Sequence, residues 1–400
     1  MNNRLKKALT VLAPTAVVLT AGVTWFVSRT PASHFDSVIS PDLSPALVSR
    51  GQYISRLSDC VACHSVPDGA AYTGGLKMVT PMGAIFATNI TPDQTTGIGT
   101  YTLADFDRAI RAGVAKDGRR LYPAMPYPSY AKLSDEDVRA LYAYFMKGVP
   151  AVHRENRTST IPWPLNMRWP LSFWNELFVP AGQYVQDEAH DEQWNRGAYL
   201  VETAGHCGAC HTPRSVAFNE KGMHSHSSHY LSGALIDDWF APSLRNDQYT
   251  GLGRWSEKDI CDFLKTGRNS HAVVFGSMTE AFNNSTQFFS DADLKAVAHY
   301  LKSLPGDASY AVQPWQYVST SAAALDPSQR KPSSGAKTYM AKCSFCHGTD
   351  GRGQSVWIPP LAGAASSLTA DTSSQINITL NGSGRVVAKG MPDAYRMPSY

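Results

Sequence analysis

The sequence predicts a mainly α-helical protein of three small tandem domains behind one N-terminal apolar helix. Three observations predict it. A C-x-x-C-H motif occurs three times, starting at Cys60, Cys207 and Cys343, 147 and 136 residues apart. That period belongs to a domain and is too long for a solenoid unit. Helical periodicity accompanies the first two copies, while strand signals are sparse and 25 prolines and 30 glycines punctuate long loops. Residues 8–28 carry no charge.

The uncharged segment follows Arg4, Lys6 and Lys7. As a helix its 21 residues would cover about 30 Å, one hydrocarbon core. A cleaved signal peptide and a retained membrane anchor both have this form. Pro31-Ala32-Ser33 is a poor cleavage site, and Trp25, Phe26 and Arg29 stand where an interfacial belt would, so the anchor is the preferred reading of residues 1–34. In both readings the basic flank stays in the cytoplasm and residues 35–400 lie outside.

The formal charge of the 400-residue chain is +3. Four cations before His34, with no acid among them, leave the remainder at −1. No basic domain exists to neutralise a phosphate backbone, which excludes nucleic-acid binding. At 43% hydrophobic and 17% charged the chain is globular. Seven cysteines are too few to staple this length with disulfides.

The elements repeat in order. Thr102 with Asp105, and Ser256 with Asp259, each read as a helix N-cap with an acid three residues on. The helices they open carry Phe106, Ile110 and Val114, or Ile260, Phe263 and Leu264, and end near Gly113 or Gly267. A closing helix follows in each. Ser134 and Ser290 are its N-caps; Val138, Leu141, Tyr142 and Phe145, or Leu294, Val297 and Leu301, form its apolar stripe; Val149-Pro150 and Leu304-Pro305 stop it. The predicted boundaries are 45–150 for the first domain, 151–190 for an aromatic linker, 191–306 for the second domain, 307–328 for a second linker and 329–400 for the third. The third lacks a closing helix, which reads as truncation or as closure against another protein.

C-x-x-C-H is the attachment signature of c-type haem. On one helical turn, two thiols three residues apart reach the two vinyl groups of one porphyrin, and the next residue aims an imidazole at the iron. Cys60 with Cys63, Cys207 with Cys210 and Cys343 with Cys346 are the predicted attachment pairs, and His64, His211 and His347 the proximal ligands of three covalent haems. A redox dithiol would need a βαβ context, and zinc two more ligands per pair.

A relay haem has its sixth position filled, and a thioether there raises the potential. Met125 and Met278 lie shortly before the two closing helices, 65 and 71 residues after the first cysteine of their motifs. In the third repeat Met397, at 54 residues, is preferred and Met391, at 48, is the runner-up. Met397-Pro398-Ser399-Tyr400 also echoes Met125-Pro126-Tyr127-Pro128-Ser129-Tyr130. Met78, Met82 and Met340 read as core fillers, His206 as structural, Cys261 as a small buried side chain, and His224, His226 and His229 as a solvated loop. The linker, with Trp163, Trp169, Phe173 and Trp174, is too apolar to hang free. It reads as extra core across two domains or as a docking, membrane-interface or quinone-facing patch.

On these residues the sequence resembles a known family, the three-haem cytochrome c subunits of the membrane-bound dehydrogenases of acetic acid bacteria, which accompany alcohol, aldehyde, gluconate, sorbitol or fructose dehydrogenases. The stretches that carry the resemblance are Leu-Ser-Asp-Cys-Val-Ala-Cys-His at 57–64, Asn-Ile-Thr-Pro-Asp at 89–93, Tyr-Pro-Ala-Met-Pro-Tyr at 122–127, Trp-Pro-Leu-Asn-Met-Arg-Trp-Pro-Leu at 163–171, Gly-His-Cys-Gly-Ala-Cys-His-Thr-Pro-Arg at 205–214 and Thr-Gly-Leu-Gly-Arg-Trp-Ser at 250–256. It implies three tandem cytochrome c-like domains and Met125, Met278 and Met397 as sixth ligands. It further implies a dehydrogenase catalytic subunit as partner, with or without a small subunit, and ubiquinone in the bacterial inner membrane as acceptor, on the periplasmic face. Aldehyde or alcohol dehydrogenase is the favoured complex, and no catalytic residue is expected in this chain. The rival functions are a free-standing anchored carrier feeding a terminal oxidase, and a haem peroxidase. A peroxidase needs an open iron, and a methionine in every repeat argues against it.

Overall fold

The computed structural model describes residues 3–35, 41–306, 315–318, 328, 333–393 and 395–400. Two compact units divide the chain: Met1–Gln52 with Cys63–Gln183, and Tyr53–Ala62 with Tyr184–Tyr400.

The first unit begins with α1 (Asn3–Ser28). Val17, Val18, Leu19 and Trp25 on it are exposed. Its outer end docks: Phe26 stacks on Phe173 at 4.8 Å, and Arg29 pairs with Glu176 at 2.6 Å. Among the described residues no helix is long and apolar enough to cross a membrane. Along the chain come α2 (Pro45–Leu57), in this unit as far as Gln52, the single turn α3 (Cys60–Cys63), of which Cys63 is in this unit, and an antiparallel hairpin of β1 (Lys77–Thr80) and β2 (Gly83–Phe86). Then follow α4 (Leu103–Ala112), α5 (Tyr127–Tyr130), α6 (Asp135–Ala143), which runs on as a π-turn to Gly148, and α7 (Leu171–Phe178).

The expected start and stop signals operate. Thr102 and Asp105 close a capping box on α4, and Gly113 ends it in the left-handed region at φ 61°. A side chain there would also strike the Tyr127 ring, 2.7 Å away. Ser134 caps α6 through the Asp137 amide. Phe106, Ile110, Val114, Val138, Leu141, Tyr142 and Phe145 are all buried, each large side chain adding about 1.5–3 kcal/mol.

One contact holds the first and last helices of the domain together. A Cβ built on Gly51 would lie 1.8 Å from the Ala140 carbonyl oxygen. Only hydrogen fits, and α2 lies with its backbone on that of α6. Beside it, Arg50 binds Asp137 (Nε–Oδ1 2.9 Å).

The second unit repeats this plan with α8 (Glu192–Glu202), α9 (Gly208–His211), the hairpin β3 (Ala234–Ile236) and β4 (Trp239–Ala241), α10 (Glu257–Thr266), α11 (Met278–Asn284), a 3₁₀ turn at Thr286–Phe288, and α12 (Asp291–Ser303). Ser256 with Asp259 forms the second capping box, Gly267 is left-handed at φ 76°, and Ser290 caps α12. Gly197 meets Ala296 as Gly51 meets Ala140, with 2.0 Å from Cβ to oxygen. Arg196 grips Asp293 with both arms, at 2.8 and 2.9 Å.

The same unit holds the third repeat: α13 (Ser334–Lys342), α14 (Ser344–His347), α15 (Ala365–Leu368) and α16 (Ser373–Asn381). No residue of α13 is buried. A Cβ on Gly335 would meet only Ser333 Oγ, at 4.0 Å. After α16 the chain returns along it, with the Tyr400 amide on Thr379 O (3.0 Å) and the Tyr400 hydroxyl on Lys342 O (2.9 Å). On the way Val386 and Ala388 pack with Val274 and Phe282 of the second repeat.

Several expectations need correction. The linker does not serve mainly as core. Ile161 is buried, but Trp163, Leu165, Trp169, Phe173 and Leu177 are exposed on the first unit. Main-chain bonds such as Thr160 N to Ala84 O hold the segment there without requiring its side chains to be covered. Met82 and Met340 are exposed rather than core fillers, the first beside the hairpin turn and the second on the uncovered α13. Cys261 is half-buried, because α10 buries only Ile260. The linker predicted at 307–328 lies outside the described residues except for 315–318 and Ser328.

Candidate haem-attachment sites

Each C-x-x-C-H motif forms one short turn, reached by a sharp bend. Asp59 (φ 50°) and His206 (φ 34°) supply the bend in the first two repeats. No motif is spent on a disulfide. Burial pushes the Cys207 thiol up to about 12.

The histidines are held in the same way three times. His64 Nδ1 lies 2.7 Å from Thr88 O, His211 Nδ1 2.7 Å from Pro242 O, and His347 Nδ1 3.0 Å from Pro359 O. A carbonyl can only accept, so Nδ1 carries the proton and Nε2 keeps its lone pair for a metal. Burial lowers the His64 and His211 imidazoles, which keeps them neutral.

A glycine completes each clamp. The amides of Gly74, Gly233 and Gly353 donate to the carbonyls of His64, His211 and His347 at 2.7, 2.8 and 2.9 Å. All three glycines have positive φ, 72°, 92° and 72°. A side chain on Gly74 would strike Thr88 C at 2.4 Å, and one on Gly353 would strike Pro359 O at 2.6 Å. The clamp therefore brings one strand against the motif and aims its carbonyl at the ring. In repeats one and two the hairpins β1–β2 and β3–β4 span the gap between glycine and carbonyl; in the third it is spanned by the single bridge Gln354–Ile358. Sequence reasoning missed these glycines and carbonyls, since the gaps differ in length. The recurring Arg-Gly-x-Tyr at 50–53 and 196–199, with its glycine nine and ten residues before the cysteines, was a signal for the helix crossing.

The donor set fits haem c: two thiols per turn and one imidazole whose Nδ1 is taken by a carbonyl. Met125, Met278 and Met397 are partly buried, whereas Met391 is 40% exposed. Met125 sits in the turn before α5, Met278 opens α11 against Val274 and Phe282, and Met397 is tied at both main-chain ends to Ser383 (2.9 and 3.0 Å). His206 turns Nε2 to Ser58 O at 3.4 Å. His224, His226 and His229 are exposed on a loop, and no group of three or more His, Cys, Asp or Glu side chains suited to a metal occurs among the described residues.

A family model described as cytochrome c matches residues 48–148 and 195–305. One described as cytochrome c oxidase, cbb3-type, subunit III matches residues 330–397. The chain is 49% identical over 377 residues to the gluconate 2-dehydrogenase cytochrome c subunit of Pantoea cypripedii, covering 92% of this chain and 84% of that one. It is 47% identical over 368 residues to the cytochrome c subunit of the quinone alcohol dehydrogenase of Gluconacetobacter polyoxogenes, covering 90% and 78%. A diheme c-type cytochrome of Cereibacter sphaeroides is 33% identical over 310 residues, 75% of this chain and 99% of that one. With its repeated attachment turns and this breadth of identity, the chain belongs to the cytochrome c family, among the cytochrome c subunits of dehydrogenases.

Proposed function

We propose that the chain is the electron-transfer subunit of a membrane-bound dehydrogenase and relays electrons from a catalytic partner to ubiquinone. The observation that carries this reading is the clamp built three times around His64, His211 and His347. Cys60 and Cys63, Cys207 and Cys210, and Cys343 and Cys346 would hold three haems by thioether bonds, with Met125, Met278 and Met397 opposite the histidines. Haem c supplies a one-electron iron couple, and the protein sets its potential through the axial ligands and burial. The clamp keeps each imidazole in one tautomer and one orientation, so little rearrangement accompanies a change of charge. On this reading the substrate chemistry belongs to the catalytic partner.

The uncharged stretch 8–28, between Lys7 and Arg29, is what supports an anchor in the bacterial inner membrane with the domains on the periplasmic face. Trp25 and the exposed Trp163, Trp169 and Leu177 then suit the interface. A quinone-linked alcohol or aldehyde dehydrogenase is the favoured complex, and a small subunit would complete it. The likeness of residues 330–397 to an oxidase subunit favours one rival, a free-standing carrier that feeds a terminal oxidase.

Mass spectrometry of what copurifies with the full chain from mildly solubilised membranes tests the proposal, together with a haem count by pyridine haemochrome. A stoichiometric dehydrogenase subunit and three haems per chain are expected. A chain that purifies alone and is oxidised by a terminal oxidase would replace the proposal with its rival.

A further inference from the structure

Among the described residues Arg268 is a buried cation with no ion pair and with N–H groups left unbonded. Arg268 follows Gly267 at the end of α10 and is 3% exposed. Its backbone is fixed by an antiparallel bridge to Val273, and its carbonyl accepts from Thr266 Oγ1 at 2.9 Å. Its guanidinium lies over the Trp357 ring, 4.1 Å from the centroid, and Nη2 donates to Pro392 O at 2.9 Å. Nε and Nη1 are buried with no partner. No ion pair to Arg268 occurs among the described residues. A buried charge with unbonded N–H groups costs several kcal/mol, which an anion seated on them would offset; the buried Arg245 differs in that its N–H groups reach the carbonyls of Pro305 and Tyr230.

The first repeat shows that the domain plan does not require this arginine. There the residue after the helix-ending glycine is Val114, which is also buried. The surroundings of Arg268 come from both the second and third repeats: Trp357 lies ten residues beyond His347, and Met278 ten residues beyond Arg268. Thr279, next to Met278, has a buried hydroxyl oxygen without a partner. Two unsatisfied polar groups thus flank the region where Val386 packs beside Gly267 and Phe282.

We infer that Arg268 binds a haem propionate at the junction of the second and third repeats, through Nε or Nη1. These two groups lie on opposite sides of the planar guanidinium, so a carboxylate oxygen takes one of them in a charge-assisted hydrogen bond. The carboxylate comes from the haem on Cys207 and Cys210 or from that on Cys343 and Cys346. The inference rests on the three-haem reading above. Arg268 is a positioning residue: it fixes the propionate and places a positive charge that favours the reduced state of that haem.

The test uses the full chain with its haems attached. Haem is counted first, and fewer than three per chain would sink the three-haem reading. With three present, spectroelectrochemical titration compares the wild type with Arg268→Gln and Arg268→Lys. Arg268→Gln lowers one potential only. Held near that couple, its reduced-to-oxidised ratio falls several-fold, a tenfold fall being 59 mV for one electron. Arg268→Lys recovers most of the shift. Repeating the substitution in a Met278→Ala background separates the sources: the shift falls on the displaced couple if the second haem is bound, and on an undisplaced one if the third is. Three unchanged potentials with three haems present overturn the inference. Should Arg268→Gln not accumulate, Arg268→Lys decides by resonance Raman, because a point charge replaces a fork. A shifted propionate bending band supports the inference and an unshifted one refutes it.

Discussion

Replacing Gly197 by alanine sets two opposed effects against each other. In the middle of α8, alanine is favoured over glycine by about 1 kcal/mol of helix propensity. The new Cβ would lie 2.0 Å from Ala296 O and 2.7 Å from Tyr300 Cβ. A carbon–oxygen contact needs about 3.3 Å, so α8 and α12 must part by about 1.3 Å. A gap of that order forfeits roughly half the dispersion contact along the interface. The obstructing atom is backbone and cannot swing aside. The cost is then at the upper end for overpacking, about 3 kcal/mol. The net loss is about 2 kcal/mol, roughly thirtyfold in the folded-to-unfolded ratio. For a unit of this size it lowers Tm by about 4–8 °C. Urea and thermal unfolding followed by far-UV circular dichroism measure it, with Gly335→Ala as control. That Cβ meets only Ser333 Oγ, at 4.0 Å, so the control leaves stability unchanged or slightly raised. A Gly197→Ala protein as stable as the parent would refute the close crossing.

Burial raises the Asp293 carboxyl, but its hydrogen bonds from Arg196 and Tyr53 outweigh that and leave it below the ordinary 3.8. A depressed acid contributes stability above its unfolded value and loses it as pH falls through the folded one. Asp293→Asn therefore costs about 1–3 kcal/mol at neutral pH. Denaturation midpoints of variant and parent should converge below about pH 4; a constant gap would contradict the assignment. Tyr127→Phe removes the hydroxyl that donates to Asn175 Oδ1 at 2.8 Å. It should destabilise the first unit by about 1–2 kcal/mol with the haem spectra unchanged, and an unaltered urea midpoint would show that the bond contributes nothing. Met278→Ala should shift one potential downward and let the reduced protein bind carbon monoxide at one site; an unchanged titration would remove Met278 as a ligand.

Much of the molecule was legible because its signals are local. The caps at Thr102, Ser134, Ser256 and Ser290 and the stops at Gly113 and Gly267 each involve residues within one turn of one another. The attachment turns were equally plain, since thiols and imidazole must share one turn. The carbonyls of Thr88, Pro242 and Pro359 were not legible. A carbonyl has no residue identity, and their distances from the histidines are 24, 31 and 12 residues. Arg268 was hidden for a different reason: a lone arginine after a helix-ending glycine looks like surface. Only the burial contributed by Trp357 and Pro392, about a hundred residues onward, exposes its missing partner. The linker misled because aromatic content signals contact without saying with what.

The clamps have a further consequence, for how such a chain diversifies. Glycine and carbonyl stand fourteen positions apart in the first repeat (Gly74 to Thr88), nine in the second (Gly233 to Pro242) and six in the third (Gly353 to Pro359). Going from six to fourteen costs little more than one doubling of loop length, about 0.6 kcal/mol of closure entropy. What lies between the two anchor points is thus nearly free to vary, while the histidine keeps a glycine amide on its main-chain carbonyl and a carbonyl on its Nδ1 each time. The hairpins in that interval bear exposed Val79 and Leu235. Lineages can therefore rewrite this outward face, or an engineer can transplant it, without retuning the histidine behind it.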